Sequence, residues 1–101
     1  MTALDHRTSH SYAADKQKLL ARLNRIQGQA RGITRMVEED RYCADILQQI
    51  AALKSAADAV GLLLLKDHLK GCVAEAVRNG DGESHIAEVI DVVGRFVRTS
   101  A

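Results

Sequence analysis

The residues of this sequence best suited to chemistry are a histidine and a cysteine in the stretch HLKGC, His68 to Cys72. An α-helix turns by about 100° per residue, so side chains four residues apart point the same way. An imidazole and a thiol on one helical face make half of a binding site for a soft metal ion. The alternative for each residue alone is structural, because a free cysteine is commonly just a small buried hydrophobe.

The second cysteine, Cys43, lies on the same edge of the same predicted helix. Its direction agrees with those of His68 and Cys72 to within about 20° on an ideal helix. In a straight helix, however, the rise between Cys43 and His68 is roughly 37 Å, and the chain contains no Pro to interrupt it. One chain therefore cannot bring the three side chains to one metal ion, whereas two antiparallel copies of the helix can.

The two-fold axis of such a dimer must cross the helix near residue 56 or 57. The sequence there is SAADAVG, Ser55 to Gly61, a run of mostly small side chains. Small residues allow two helices to approach closely, and we therefore expect Ala56, Ala57 or Val60 to pack against its own symmetry mate.

The ligand set of this inter-subunit site is two thiolates and one imidazole. Sulfur ligands favour Cu(I) and Zn(II) over hard ions. Because Zn(II) usually takes a fourth ligand, a three-donor site fits trigonal Cu(I) better. Zn(II), Ni(II) and Co(II) remain alternatives.

The helices that must position these residues are predicted from apolar residues at three- and four-residue steps. They run from about Asp15 to the connection EEDRY, from about Tyr42 or Cys43 to about Val77, and from about Glu83 to Val97, with the turn signal NGDG before the third. Residues 1–13 are polar and show no period, so we expect a flexible tail followed by a single domain over residues 14–101. The second helix is too long for a 101-residue monomer, which predicts oligomerisation.

The amino-acid composition indicates the fold class and the expected location of the protein. The chain has no Pro or Trp, one Phe and two Tyr, which favours an all-α fold. We expect no membrane span, because Lys66 and Asp67 end the apolar run GLLLL, and no signal peptide is evident. Two cysteines do not make a disulfide scaffold, so a reducing cytoplasm is the expected location.

The charge distribution is more informative than the net charge of +1. Residues 16–35 sum to +6 with no acid, whereas residues 36–101 sum to −4. A helix this basic predicts a polyanionic partner, double-stranded DNA, although a solvated helix surface is the simpler alternative. The candidate phosphate contacts are Lys18, Arg22, Arg25, Arg31 and Arg35.

The stretch RLNRIQGQARGITRMVEEDRYCADILQQIAAL, followed by HLKGCV, resembles the CsoR/RcnR family of metal-sensing transcriptional repressors, and the copper-sensing CsoR members most. The resemblance covers about residues 16–98. It implies a disc-shaped tetramer, a dimer of antiparallel helical dimers, in which the metal ligands Cys43, His68 and Cys72 bridge two chains. It also implies that Tyr42 and Glu88 support the ligands and couple them to DNA. Arg22 matches a DNA-contacting arginine, whereas Ala59 stands where some members have a second arginine.

Nickel- and cobalt-sensing relatives add a histidine near the N-terminus, and this chain has His6 and His10 there. Formaldehyde-sensing relatives lack the second cysteine and persulfide-sensing relatives lack the histidine, so both functions are disfavoured. The sequence therefore predicts a Cu(I)-responsive repressor that leaves its operator on binding metal. The alternatives are a Ni(II)- or Co(II)-responsive repressor and a copper buffer or chaperone without DNA binding. An enzyme is not predicted, because no nucleophile–base pair exists beyond the metal residues.

Overall fold

A computed structural model describes residues 12–100, with side chains through residue 97. His6 and His10, the two candidate extra ligands, lie outside the described residues. A 3₁₀ turn at Ala13–Asp15 leads into three α-helices: α1 (Lys16–Glu38), α2 (Cys43–Asn79) and α3 (Gly82–Ser100). Within the described range no strand is present, so the all-α, three-helix prediction is confirmed, with helix ends within about three residues of those expected from the sequence.

The end of α1 is a Schellman motif. The Arg41 N–H donates to the Met36 carbonyl at 3.0 Å, and the Asp40 N–H donates to the Val37 carbonyl at 3.1 Å, which is the 6→1 and 5→2 pairing of this cap. Asp40 has a φ of 55°, a left-handed conformation that Asp tolerates better than most residues. The short connection EEDRY therefore contains a defined C-terminal cap that ends α1.

The turn between α2 and α3 uses the glycine of NGDG. Gly80 has a φ of 73°, and its N–H donates to the Ala76 carbonyl at 2.8 Å. This is the left-handed cap that glycine adopts without a Cβ penalty. Asp81, a favoured residue for a helix N-cap, then precedes α3. The two helices therefore form a hairpin that can pair residues on either side of the turn.

The described chain divides into two compact units. One is Lys16–Val60, which holds α1 and the first half of α2, and the other begins at Gly61 and also includes residues 12–15. The prediction of a single domain over residues 14–101, with a flexible tail before it, stays a prediction.

Few side chains are buried by the chain alone. Among the described residues the buried ones are Leu19, Val60, Cys72 and Asp67. Many large apolar side chains are exposed, among them Leu47, Leu62, Val73, Val77, Ile86 and Ile90. So much exposed apolar surface is unusual for an isolated soluble chain.

Helix α2 is long and apolar enough, by length and composition, to cross a membrane, with a mean hydropathy of 1.2 over its most apolar window. The expectation that no such segment exists is therefore wrong as a statement about composition. That expectation rested on the GLLLL run alone. Over its full length, α2 contains few charged residues among many Ala, Leu, Ile and Val side chains. Length and composition alone are weak evidence for a membrane span, because a helix that packs against a second copy meets the same criterion.

Candidate metal centre

The centre of the site is the thiol of Cys72, which α2 presents to the first turns of α3. Its Sγ lies 3.0 Å from Nδ1 of His85 and 3.6 Å from the His85 carbonyl oxygen. Cys72 is 8% exposed, so the sulfur is sheltered by the hairpin.

The ring of His85 is oriented by Asp81. Its Nε2 lies 3.2 Å from Oδ1 of Asp81, one helical turn earlier. The Asp81 carboxylate thus lies beside Nε2, while Nδ1 faces the Cys72 sulfur. A ring with its proton on the Nε2 side presents the Nδ1 lone pair to that sulfur.

Glu88 completes a group of three donors. One ligand atom each from Cys72, His85 and Glu88 lies within 4.8 Å of the others. Glu88 also approaches His68 of α2, with 3.4 Å between Oε2 and the imidazole Nε2. That contact lacks the geometry of a hydrogen bond, so the buried Nε2 has no hydrogen-bond partner among the described residues. The carboxylate therefore lies beside both histidines of the hairpin.

The local electrostatics keep the Cys72 thiol protonated in the metal-free protein. Burial raises the pKa of the thiol, and the negative charges of Glu88, Glu75 and Asp81 raise it further. A metal ion that binds the sulfur must displace that proton. In the metal-free protein the thiol can donate its hydrogen to Nδ1 of His85.

The structure brings together three of the residues that the sequence singled out and leaves two elsewhere. His68, Cys72 and Glu88 all belong to the unit that begins at Gly61. Cys43, the first residue of α2, is exposed, as is Tyr42, at 70%, and both belong to the other unit. Their assigned roles stay predictions.

Sequence reasoning missed His85. The signal was its place three residues before Glu88 on the predicted third helix, which puts both on one helical face. The NGDG turn then folds that face back onto the last turns of α2, where Cys72 lies.

The basic residues of α1 form an exposed surface. Lys18, Arg22, Arg25, Arg31 and Arg35 are all exposed. In the part of the chain that the structure describes, no ion pair joins any of them to a carboxylate. Their charges are therefore available to an external anion.

Three helices with a thiol, two imidazoles and a carboxylate gathered at one hairpin define a small all-α protein equipped to bind a metal ion. Comparison with known proteins gives the family. Residues 15–95 match the family model of the metal-sensitive transcriptional repressor. The chain belongs to this family, as the resemblance of its sequence predicted.

Curated relatives are similar over nearly their whole length. The copper-sensing transcriptional repressor CsoR of Bacillus subtilis is 48% identical over 96 residues, which are 94% of this chain and 95% of the relative. The copper-sensing transcriptional repressor RicR of Mycobacterium tuberculosis is 44% identical over 93 residues, covering 90% and 97%.

Two solved structures share the fold. The copper-sensing repressor CsoR with Cu(I) from Geobacillus thermodenitrificans matches with a TM-score of 0.76 and 45% identity over 84% of this chain and 88% of the other. The nickel-responsive transcriptional regulator InrS matches with a TM-score of 0.75 and 42% identity, over 79% and 90%. One fold thus serves regulators named for different metals.

The residues present fit a soft or borderline metal ion. The donors at the hairpin are a thiol, imidazole nitrogens and one carboxylate, a set that suits Cu(I), Zn(II), Co(II) and Ni(II) and not Mg(II) or Ca(II). The buried Nε2 of His68 without a hydrogen-bond partner is a further sign that this region is arranged for something besides packing, because buried polar atoms are normally satisfied.

Proposed function

We propose that the protein is a Cu(I)-responsive transcriptional repressor of the cytoplasm, which binds operator DNA without metal and leaves it when Cu(I) binds. The observation that carries the proposal is the contact between His68 and Glu88, 3.4 Å across α2 and α3. It lies one helical turn from the buried thiol of Cys72, in a chain whose relatives are copper-sensing repressors.

The proposed ligands are His68 and Cys72 of one subunit with Cys43 of the partner subunit. Cu(I) is a soft cation, and it prefers two thiolates and an imidazole to oxygen donors. Cys72 would hold the ion as its thiolate. If His68 held it through Nδ1, the ring proton would stay on Nε2, and Nε2–H could donate to Glu88, which already lies beside it.

That hydrogen bond is the proposed link to DNA. It joins α2 to α3 more tightly than the present contact, which has no hydrogen-bond geometry. A supporting carboxylate that holds a ligand histidine is a recurrent arrangement at metal sites. The resulting shift of helices changes the register of the basic α1 surfaces against the phosphates.

The DNA-binding part of the proposal rests on α1. Its five exposed bases suit contacts to phosphates, which supply affinity and orientation more than sequence recognition. The two family-specific assignments are the phosphate contact of Arg22 and the absence of a second one at Ala59. The alternative function, a copper buffer or chaperone without DNA binding, would not explain why α1 is so basic.

The oligomer is proposed to be a homodimer of antiparallel α2 helices that pairs again into a homotetramer. Its support is the exposed apolar surface, such as Val73, Val77, Ile86 and Ile90 along the hairpin, with exposed fractions from 61% to 81%. Val60 is already buried by its own chain, whereas Ala57 is exposed and Ala56 half-buried. The two alanines are therefore the better candidates for the contact at the two-fold axis.

A nickel- or cobalt-responsive repressor is the second candidate. It is supported by the 42% identity to the nickel-responsive regulator InrS, and it would use His10 or His6 as the extra ligand. Ni(II) bound by thiolate and nitrogen donors prefers a square-planar field of four, whereas Cu(I) is satisfied by three.

One titration tests both candidates. The metal-free protein on its operator is titrated anaerobically with Cu(I) and, separately, with Ni(II), and DNA release is followed by fluorescence anisotropy. The proposal expects release at the lower free concentration for Cu(I), with His6→Ala and His10→Ala behaving like wild type. Release by Ni(II) at the lower free concentration, abolished in His10→Ala or His6→Ala, would establish the nickel alternative.

A further inference from the structure

We infer that Cys72, His85 and Glu88 form a second metal-binding mode, a site within one chain for a borderline divalent cation such as Zn(II) or Co(II). It is distinct from the proposed inter-subunit Cu(I) site because it needs no residue of a partner. His85, which the Cu(I) proposal does not use, is its central ligand.

The first argument is geometric. The sulfur, the imidazole nitrogen and a carboxylate oxygen are mutually within 4.8 Å in the metal-free chain. Donors bound to one Zn(II) at about 2.0–2.3 Å are roughly 3–4 Å apart. The three atoms therefore need only small side-chain rotations to bind one ion.

The second argument is the state of the His85 ring. Oδ1 of Asp81 lies 3.2 Å from Nε2, and Nδ1 lies 3.0 Å from Sγ of Cys72, so a ring with its proton on the Asp81 side presents the Nδ1 lone pair to the sulfur. A histidine that binds a metal through one nitrogen and donates to a carboxylate through the other is the usual arrangement at zinc sites. The orienting carboxylate is thus in place before any metal arrives.

The third argument is burial. The side chain of His85 is 13% exposed, and Cys72 lies at the wall of an apolar groove of about 430 Å³ between α2 and α3. Low local polarity strengthens the attraction between a divalent cation and the donors. Glu88, more exposed at 36%, leaves a route for the ion to enter.

The ligand chemistry selects the class of ion. One thiolate, one imidazole and one carboxylate suit Zn(II) or Co(II), which accept sulfur, nitrogen and oxygen donors together. Three protein donors leave a fourth coordination position open to solvent. The Cys72 proton goes to solvent on binding, and no oxidation occurs.

The two modes share Cys72, so they exclude one another. A divalent ion at the hairpin competes with Cu(I) for this sulfur and takes Glu88 away from His68. This consequence rests on the proposed Cu(I) function, whereas the existence of the divalent site does not.

The test uses the full-length, reduced, metal-free protein and Co(II) alone, followed anaerobically by its thiolate-to-metal charge-transfer absorption. Cys43→Ser should still bind Co(II) with the charge-transfer absorption of one thiolate, that of Cys72, because the site lies within one chain. His85→Ala should weaken Co(II) binding by at least about tenfold, since loss of even an outer partner typically costs that much. Glu83→Ala, an exposed acid in the same helical turn, is the matched control and should bind like wild type.

His85→Gln is made in parallel, so that a folding defect of His85→Ala does not decide the result, and circular dichroism checks the helices of both. Co(II) binding abolished in Cys43→Ser, or kept at full strength in a folded His85→Ala or His85→Gln, would overturn the inference. Anaerobic Cu(I) affinity is measured on the same variants. It should fall in Cys43→Ser and persist in His85→Ala if the inter-subunit Cu(I) site is also right, so the two hypotheses can fail separately.

Discussion

The imidazole of His68 lies 3.4 Å from the carboxylate of Glu88, although 20 residues and the NGDG turn separate them in the chain. The contact is close without being a hydrogen bond, since His68 Nε2 finds no hydrogen-bond partner among the described residues. A pair that is near but not yet bonded can tighten when the proton of the ring is fixed on Nε2. Substitutions in this pair therefore test whether metal binding at α2 is coupled to the rest of the protein through α3.

Replacing Glu88 by Ala should separate metal binding from its response. Cu(I) should still bind through its three ligands, but the coupling free energy between Cu(I) and operator, typically about 1–3 kcal/mol, should fall toward zero. Operator affinity measured with and without saturating Cu(I) gives this quantity directly. In Glu83→Ala the coupling between Cu(I) and operator should equal that of wild type. The same result in Glu88→Ala would show that Glu88 does not connect metal binding to DNA binding.

Arg22→Ala should have the opposite phenotype. Cu(I) affinity should be unchanged, because α1 carries none of the proposed ligands. Operator affinity should fall, and the slope of log K against log salt should decrease by about 0.9 for each phosphate that the protein no longer neutralises. Lys54→Ala removes an exposed positive charge from α2 and serves as control. An unchanged salt slope in Arg22→Ala would mean that this residue does not contact DNA.

Ala57→Phe should weaken the dimer. Ala57 is exposed in the single chain, at the predicted two-fold axis, where a large ring would force the paired helices apart. Overpacking of a close contact typically costs about 1–3 kcal/mol, so the dimer should dissociate at a higher protein concentration in sedimentation equilibrium. Unaltered association would contradict the antiparallel arrangement.

Gly61→Ala should destabilise the protein despite the higher helix propensity of Ala. A Cβ at Gly61 would lie 2.6 Å from Cζ of Phe96, too close for the ring to stay. We expect a net loss of up to about 2 kcal/mol, which is the overpacking cost of about 1–3 kcal/mol less the gain of about 1 kcal/mol in helix propensity. Urea unfolding at fixed protein concentration measures it.

The matched control is Gly32→Ala. Gly32 is also helical, but a Cβ there meets nothing within 4 Å. It should therefore show the propensity gain alone. Equal effects of the two substitutions would mean that the Phe96 ring moves aside at no cost.

Asp67 should give the metal-free protein a pH-dependent stability. Asp67 is 6% exposed. Its burial, together with the neighbouring carboxyl of Asp15, raises the pKa of the Asp67 carboxyl above 3.8, against smaller opposing effects of Lys66 and Lys70. The folded state thus holds the proton more tightly than the unfolded state, so stability is fully present below 3.8 and is lost as pH rises through the folded pKa.

Asp67→Asn keeps the shape of the protonated carboxyl without the charge. It should therefore be more stable than wild type at neutral pH, and the difference should shrink in acid. Urea midpoints across that range measure the effect, with Asp58→Asn as the same change elsewhere on α2. A wild-type protein that gained stability with rising pH relative to Asp67→Asn would show the sign to be wrong.

Features that depend on near neighbours in the chain could be predicted from the amino-acid sequence. The helix boundaries followed from apolar spacing and the NGDG turn, and the pairing of His68 with Cys72 followed from their four-residue separation, because a helix repeats its face within one turn. The basic surface of α1 also needed only composition, since a helix without acids cannot neutralise its own charge. The family followed from the same local patterns.

The contacts across the hairpin between α2 and α3 could not be predicted from the sequence. The approach of His85 to Cys72 depends on the rotation of α3 against α2, and a rotation by one residue, about 100°, would turn the imidazole away. The same holds for Gly61 beneath Phe96, where the missing Cβ matters only because a ring from α3 occupies its place. Sequence spacing fixes directions within a helix, whereas the packing between helices selects which of those directions coincide.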